Sequence, residues 1–271
     1  MIVLASGPVD PDCLVFDVDG VLIESRESYQ ETIRKIVERE WDMSGFTVDR
    51  RGYSPELNRV LKNHGAFNDD YDIAWTLLNI AAAGGREKLS EALPQPETLA
   101  HLIADCGNDC VDWLPRRCEN RYDRLRIRQL GRAFYAGADD SPGEWTLDKP
   151  MLDIHWSLLP LPPYIYTGRD EKEWRLAQKT LQWDDFPDDR VVQVDMGIKK
   201  PSPEGLEYIS RVFGHERPIF FGDTMSDFMS SEAFGRGWFA AVGDMIPKAS
   251  LRFPDIQTAL SQTLDWKPQT T

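Results

Sequence analysis

Asp17 and Asp19 are separated by a single residue and come directly after a short apolar run, Leu14–Phe16. Gly20 follows them. Two carboxylates at positions i and i+2 where a strand ends can converge on one cation or on one reacting group. An EF-hand loop is excluded, because the twelfth position counted from Asp17 is Ser28 and that position requires a bidentate glutamate. The pair therefore marks a candidate metal or acid–base site.

Three later apolar runs also end in polar residues. The hydroxyl of Thr167 and the backbone of Gly168 follow Tyr164–Tyr166, where a helix is predicted to begin and to offer N–H groups to an anion. The other two polar segments are Lys199-Lys200-Pro201 after Val191–Val194, and Gly222-Asp223 through Asp227 after Ile219–Phe221. Because the carboxyl ends of parallel strands meet at one edge of a sheet, we expect acids, a cation, a hydroxyl and N–H groups to lie together there.

These runs are continuously apolar rather than alternating, which is typical of strands covered on both faces of a parallel sheet. Apolar residues at helical spacing separate them, at Trp174, Ala177 and Leu181 and again at Leu206, Ile209 and Phe213. With a fifth run, Trp238–Val242, the pattern predicts an α/β fold: a Rossmann-like, doubly wound parallel sheet.

About 145 residues separate the first apolar run from the second, too many for one crossover. We therefore predict a catalytic core formed by residues 1–23 and 149–271, and an inserted, mainly α-helical cap domain at 24–148. The insert carries a helical stripe at Tyr29, Ile33, Ile36, Val37 and Trp41, further predicted helices at Tyr71–Ala83, Leu99–Ala104 and Arg116–Arg132, and a predicted loop at Gly137–Pro150.

Charge and composition exclude several function classes. The 271 residues contain 31 Lys and Arg against 45 Asp and Glu, a net charge of −14, which argues against binding nucleic acid or anionic membranes. No apolar run reaches about 18 residues, so no membrane span is predicted. Met1–Pro11 lacks the features of a secretory signal, and four cysteines are too few for a disulfide scaffold, so a cytoplasmic protein is expected.

The order and spacing of the four polar segments resemble the haloacid dehalogenase (HAD) superfamily. The resemblance rests on Asp17-Val18-Asp19-Gly20, Thr167, Lys200, and Gly222-Asp223 through Asp227. The position of the insert resembles the subgroup whose helical cap follows the first motif. The resemblance implies a phosphatase that hydrolyses a phosphate monoester of a small metabolite, with Mg2+ as cofactor.

The resemblance also implies a role for each residue. Asp17 would be the nucleophile that forms an aspartyl-phosphate, and Asp19 the general acid and base. Thr167, Gly168 and Lys200 would bind the phosphoryl oxygens. The implied metal site comprises Asp17, the backbone carbonyl of Asp19, Asp223, and Asp227, the last either through a water or by orienting the lysine.

Alternative reactions remain open. Asp19 is an acid, not the Tyr expected for haloacid dehalogenation, and an acid suits an alcohol leaving group. A phosphomutase would use the same aspartyl-phosphate, and a catalytically silent binding module would be expected to lose one of the motif residues. A hydrolase of carbon–phosphorus bonds would need a cap lysine, such as Lys35 or Lys62, although nothing marks either.

Other candidates have plainer interpretations. Lys199 could replace Lys200, but is interpreted as its solvated neighbour. Arg169 could face the substrate or form a salt bridge on the first turn of its helix. The arginines between 116 and 132, with Glu119 and Asp123, suggest a solvated ion-pair face, or one or two arginines that reach the substrate. The spacing of His101, Cys106, Cys110 and Cys118 fits no zinc pattern, so these are interpreted as cap residues and Cys13 as core.

Overall fold

The apolar runs form buried strands in the computed structural model, which describes residues 9–49, 52–67, 69–138 and 141–266. The strand at Trp238–Val242 has the predicted bounds, and three others match within one residue at each end. The strands, in chain order, are β1 (Cys13–Phe16), β2 (Ile23–Glu24), β3 (Gly137–Ala138), β4 (Ser141–Pro142), β5 (Lys149–Pro150), β6 (Pro163–Tyr166), β7 (Val191–Val192), β8 (Pro218–Gly222), β9 (Trp238–Val242) and β10 (Leu251–Phe253).

Six strands form one sheet in the order β10-β9-β8-β1-β6-β7, and every pair in it is parallel. This confirms the predicted α/β fold. Strand β1 lies between β6 and β8: Phe16 pairs with Ile165 on one side and with Phe221 on the other. The residues that follow these three strands therefore share one edge of the sheet, as predicted.

Apolar side chains cover both faces of this sheet. Leu14 and Phe16 contribute to one core cluster, and Cys13 and Val15 to the other. Since successive residues of a strand point to opposite faces, a strand buried on both sides is continuously apolar. All four residues of β1 are buried accordingly.

Helices separate the core strands at the predicted places, and one further helix, which was not predicted, follows β10. The helices with ranges in this part of the chain are α8 (Glu171–Leu181), α9 (Glu204–Phe213), α10 (Met225–Phe234) and α11 (Ile256–Leu264). Two details differ from the expectation. The third apolar run is a strand only at Val191–Val192, because a 3-10 turn follows at Val194–Met196. The edge strand β10 was not predicted, since only Leu251 and Phe253 in it are buried.

The segment between the core strands is helical, as predicted. Its first helix buries the whole predicted stripe, from Tyr29 to Trp41. The helices are α1 (Arg26–Met43), α2 (Pro55–Lys62), α3 (Asp70–Ala83), α4 (Leu89–Ala92), α5 (Pro96–Ile103), α6 (Cys110–Arg117) and α7 (Arg124–Ala136).

Two predictions within this segment are wrong. The chain leaves α6 at Cys118 and begins α7 only after Asp123, so the predicted helix Arg116–Arg132 is interrupted. The physical reason is the cap at Asp123, whose side chain accepts the amide of Arg126 and so starts a new helix. The predicted loop Gly137–Pro150 contains the short strands β3, β4 and β5 and a 3-10 turn at Glu144–Leu147.

Contacts between Cα atoms divide the chain into two compact units. We call Met1–Arg26 with Asp148–Thr271 the core unit, and Glu27–Leu147 the helical unit. Within the core unit, β2 and β5 pair antiparallel, so the chain leaves and re-enters this unit side by side. Among the described residues, no helix combines the length and apolar character needed to cross a membrane. Most of Met1–Pro11, on which the prediction about a secretory signal rests, lies outside the described residues.

Candidate active site

Lys200 joins two aspartates at the carboxyl edge of the sheet. Its Nζ lies 2.8 Å from Oδ1 of Asp17 and 2.6 Å from Oδ1 of Asp227, and all three side chains are at least nine-tenths buried. Asp17 follows β1 directly, and its amide donates to the carbonyl of Phe221 in β8. The sequence predicted that Asp17, Lys200 and Asp227 lie at one edge of the sheet, and in the structure Lys200 contacts both aspartates.

The buried charges shift the proton affinities at this edge. Burial raises the pKa of Asp17 to about 7; the Asp227 and Asp19 carboxylates raise it as well, while Lys200 opposes the rise. Burial by itself would lower the pKa of Lys200, but the carboxylates of Asp17 and Asp227 raise it well above its usual value. Lys200 is therefore an ammonium. The carboxylates of Asp227 and Asp19 near Asp17 together carry more negative charge than the single ammonium of Lys200 balances.

Two aromatic rings lie beside the ammonium of Lys200. Its Nζ lies 5.7 Å from the ring centre of Tyr166 and 5.9 Å from that of Phe220, distances at which a cation is attracted to an aromatic face. Lys199 is exposed. The structure therefore places Lys200, and not the alternative Lys199, against Asp17.

Asp227 is held by the first turn of α10. Its Oδ2 accepts the amide of Thr224 at 3.0 Å and the hydroxyl of Thr224 at 2.6 Å, while its Oδ1 accepts from Lys200. The hydroxyl of Thr224 accepts the amide of Asp227 in return, a reciprocal cap. Both carboxylate oxygens of Asp227 are thus engaged, which favours orientation of the lysine over direct ligation of a metal.

Asp223 is brought beside the first motif by a close approach to Gly20. A Cβ added to Gly20 would lie 2.0 Å from Oδ2 of Asp223, and Gly20 has φ of +71°, in the region that favours glycine. Carboxylate oxygens of Asp17, Asp223 and Asp227 lie within 4.8 Å of one another. A set of oxygen ligands at this spacing fits Mg2+.

Thr167 and Gly168 continue from β6 at the same edge, and Thr167 is 1% exposed. The hydroxyl of Thr167 accepts the amide of Arg169 at 3.2 Å. Side chains also accept the amides of Asp170, Glu171 and Glu173 at the start of α8. The amides at the start of α8, which were expected to bind an anion, therefore already donate to side chains. The predicted phosphate-binding residues remain Thr167, Gly168 and Lys200.

Asp19 forms an ion pair that the sequence did not specify. Arg169 Nη2 lies 2.6 Å from its Oδ1 and Nε lies 3.1 Å from its Oδ2, so the guanidinium binds both oxygens. Nη2 also lies 3.2 Å from Oδ2 of Asp148. Of the two interpretations of Arg169, the salt bridge is the one observed, but its partners are distant in sequence rather than on the first turn of its helix.

Sequence reasoning missed Asp148 and Thr224. The Thr224-x-x-Asp227 spacing is a capping pattern that could have been recognised in the sequence. Asp148 had no such signal: it lies in the segment Gly137–Pro150 that was predicted as a loop, and only the fold reveals that its side chain is fully buried beside Arg169.

A second group of potential ligands, Asp12, Cys13 and His215, lies near the start of β1. Asp12 Oδ2 accepts the amides of Glu216 and Arg217, at 2.8 and 3.1 Å, which ties β1 to the turn before β8. Burial and the nearby Asp12 raise the pKa of the Cys13 thiol far above its usual value, so Cys13 is a protonated core residue. This agrees with its interpretation from the sequence.

In the helical unit, the cysteines are free and the arginines pair between helices. Cys106 and Cys110 are buried, and burial raises the pKa of both thiols. Arg124 binds Asp72 at 2.6 and 2.8 Å, which links α7 to α3. The arginines form ion pairs, as predicted, but Asp123 is not a partner, because it caps α7. The partners lie on other elements: Arg126 binds Glu40, and Arg128 binds Asp69.

No protein-family model and no curated protein matches the sequence. Solved structures do match over nearly the whole chain. The phosphatase Tt82 from Thermococcus thioreducens is 24% identical with a TM-score of 0.66, covering 93% of this chain and 99% of that one. A candidate phosphoglycolate phosphatase from Lactobacillus delbrueckii subsp. bulgaricus is 16% identical with a TM-score of 0.62, covering 94% and 99%.

A hydrolase from Pseudomonas syringae is 12% identical with a TM-score of 0.50, covering 93% of this chain and 97% of that one. At these identities the comparison establishes the fold. The chain has the fold of the Thermococcus thioreducens phosphatase, which agrees with the α/β fold that the motifs implied.

Proposed function

We propose that this protein is a Mg2+-dependent phosphatase that hydrolyses a phosphate monoester of a small metabolite through an aspartyl-phosphate on Asp17. The observation that carries the proposal is the contact of Lys200 Nζ with Asp17 Oδ1 at 2.8 Å, beside the carboxylates of Asp223 and Asp227. A buried nucleophile next to a fixed cation is the arrangement that an anionic phosphoryl group requires. The phosphatase and hydrolase names of proteins with the same fold support this interpretation.

Asp17, Asp223 and the backbone carbonyl of Asp19 would hold the metal ion. When bound, Mg2+ would neutralise the negative charge of these carboxylates and of the phosphoryl group. Its charge would also favour the carboxylate form of Asp17, whose pKa of about 7 otherwise leaves it partly protonated at neutral pH.

In the first step, an Oδ atom of Asp17 attacks phosphorus and the bond between phosphorus and the leaving oxygen breaks. Asp19 donates its proton to that oxygen, which leaves as an alcohol. Lys200, with Thr167 and Gly168, binds the phosphoryl oxygens and stabilises the charge of the transition state. Asp227 keeps the Lys200 ammonium in place through its contact at 2.6 Å.

In the second step, water attacks the aspartyl-phosphate. Asp19, now ionised, takes a proton from that water, and the bond between phosphorus and Asp17 breaks to release inorganic phosphate. Asp19 thereby returns to its protonated form and Asp17 to its carboxylate. The same first step would serve a phosphomutase, in which the phosphoryl group passes to a second hydroxyl rather than to water.

The test is a screen of phosphorylated metabolites for release of phosphate, with Mg2+ and with chelator. We expect phosphate release that chelator abolishes and Mg2+ restores. Ca2+ should not restore it, because Ca2+ takes more ligands and tolerates bidentate carboxylates that would misplace Asp17. Interconversion of phosphosugar isomers without release would identify a mutase, and tight binding without either reaction would identify a silent binding module.

Asp17→Asn supplies the matched control for the screen. The amide is nearly isosteric but is a poor nucleophile and a poor metal ligand, so turnover should fall below a few per cent of wild type while the fold is kept. Mass spectrometry of the variant excludes deamidation back to aspartate. Substantial turnover by variant protein that has kept its amide would overturn the assignment of the nucleophile.

A further inference from the structure

Arg169 is a buried cation whose hydrogen bonds hold it in one orientation. Its side chain is 1% exposed, although it follows the strand end where the site lies. Nη1 donates to the carbonyl of Glu173 at 3.2 Å, Nη2 and Nε bind Asp19, and Nη2 also lies near Asp148. Because the guanidinium of Arg169 binds three residues of the protein, Glu173, Asp19 and Asp148, it does not point toward a substrate.

We propose that Arg169 is a positioning residue for Asp19, and that Asp148 is the anchor that keeps Arg169 in place. This rests on the proposed function, in which Asp19 is the proton donor and acceptor. The two parallel contacts, at 2.6 and 3.1 Å, fix both the position and the rotation of the Asp19 carboxylate. No single contact to a rotating ammonium would fix both.

Asp19 needs such support because its carboxylate is more accessible than those that contact Lys200. Its side chain is 33% exposed, whereas those of Asp17 and Asp227 are 7% and 0% exposed. Without Arg169 the Asp19 carboxylate could turn toward solvent. Proton transfer needs heavy atoms within hydrogen-bond reach, and a displacement of about 1 Å can cost about 100-fold in rate.

Asp148 gives the arginine a partner besides the catalytic carboxylate. Its side chain is fully buried and it precedes β5, which pairs with β2 shortly after the first motif. Asp19, Arg169 and Asp148 therefore connect the first motif, the end of β6 and the segment that re-enters the core unit. We call these three residues the Asp19–Arg169–Asp148 network.

The variants that test the network are Arg169→Lys and Asp148→Asn, each also made in an Asp19→Asn background. Arg175→Lys is the matched control, because Arg175 lies on α8 and binds Asp188 with two contacts of 2.8 Å, but at the protein surface. Steady-state kinetics with Mg2+ would compare an alkyl phosphate with p-nitrophenyl phosphate, whose leaving group needs no proton.

We expect Arg169→Lys to lower kcat/KM, which reports the first step, about 10- to 100-fold for the alkyl phosphate, and to lower kcat/KM for p-nitrophenyl phosphate less. Asp148→Asn should act in the same direction with a smaller effect, and Arg175→Lys should leave both rates unchanged. In the Asp19→Asn background, neither Arg169→Lys nor Asp148→Asn should cause a further loss, because a residue that acts through Asp19 has nothing left to position.

Losses that multiply with that of Asp19→Asn, or that are equal for the two leaving groups, would overturn the positioning role while leaving the phosphatase proposal intact. A wild-type protein without turnover on any phosphate ester would overturn the proposed function itself. If Arg169→Lys fails to fold, the Asp148→Asn comparison alone decides, because that variant keeps the guanidinium and removes only the charge that anchors it.

Discussion

Gly20 approaches Asp223 so closely that a Cβ at position 20 would lie 2.0 Å from Asp223 Oδ2. The first and last motifs of the candidate site are therefore in contact through a backbone that has no side chain. The Asp223 carboxylate can occupy its position only because residue 20 has no side chain.

Gly20→Ala should consequently displace Asp223 and reduce phosphate release by at least about 100-fold, the cost of a displacement of roughly 1 Å at a reacting centre. The positive φ of Gly20 adds about 1 kcal/mol of destabilisation. Gly214→Ala is the control, since Gly214 has φ of +76° and an added Cβ there would meet nothing within 4 Å. It should lose similar stability in denaturant unfolding but keep its turnover; equal turnover in both variants would contradict the role of the contact.

The pKa of Asp17 predicts how metal and pH act together. The folded protein binds a proton at Asp17 up to about pH 7, whereas an unfolded chain releases it near the usual aspartate pKa of 3.8. The contribution of Asp17 to folding stability is therefore present at low pH and is lost as pH rises from about 4 to about 7. Mg2+ should offset this loss, because it stabilises the ionised form.

We therefore expect Mg2+ to raise the thermal unfolding temperature more at pH 8 than at pH 5, each measured against chelator. In Asp17→Asn, the part of the Mg2+ effect that depends on pH should shrink, since the titrating carboxyl is absent. A Mg2+ effect that is larger at pH 5 than at pH 8 would be incompatible with a protonated, buried Asp17.

Asp19→Asn should separate the two chemical steps. An alkyl phosphate should lose about 10²- to 10⁴-fold in rate, the usual contribution of general acid–base catalysis, whereas p-nitrophenyl phosphate should lose less in the first step. Hydrolysis of the aspartyl-phosphate then limits the rate, so a burst of nitrophenol and a phosphorylated peptide containing Leu14 to Val21 are expected. Equal losses, no burst and no trapped phosphate would mean that another acid performs the proton transfer.

The ion pair of Arg124 with Asp72 should stabilise the helical unit. Asp72 is buried, and burial raises its pKa while the Arg124 guanidinium opposes the rise. Arg124→Ala leaves this carboxylate with less compensation and should destabilise the helical unit by roughly 2–4 kcal/mol. Arg116→Ala, at an exposed position, should stay within about 0.5 kcal/mol in the same denaturant titration. Similar losses in both variants would contradict the assigned role of the Arg124–Asp72 pair.

The sequence predicted the parts of the fold that local patterns encode. Asp17, Thr167, Lys200 and Asp223 each follow an apolar run, and parallel pairing alone brings strand ends to one edge. Partners across the sequence were not predictable in this way. Nothing near Arg169 indicates that it binds Asp19 and Asp148, because that choice depends on three-dimensional packing.

The charged segment after Cys110 shows the same limit. Arginines at helical spacing suggested one long helix, but Asp123 carries a local signal, a side chain that caps a new helix, which the charge pattern concealed. The partners of Arg124 and Arg126 lie on α3 and α1, 52 and 86 residues away along the chain. Charge spacing within one helix carries no information about such pairs.

The placement of β1 between β6 and β8 has a consequence for synthesis on the ribosome. Leu14 and Phe16 emerge before the helical unit, yet the strands that cover them, beginning at Pro163 and Pro218, emerge only after that whole unit. At typical elongation rates of about 5–20 residues per second, the nascent β1 waits roughly ten seconds or more without its sheet neighbours. The sheet can close around this apolar segment only late in synthesis, and we expect the segment to bind chaperones that recognise short hydrophobic stretches until then.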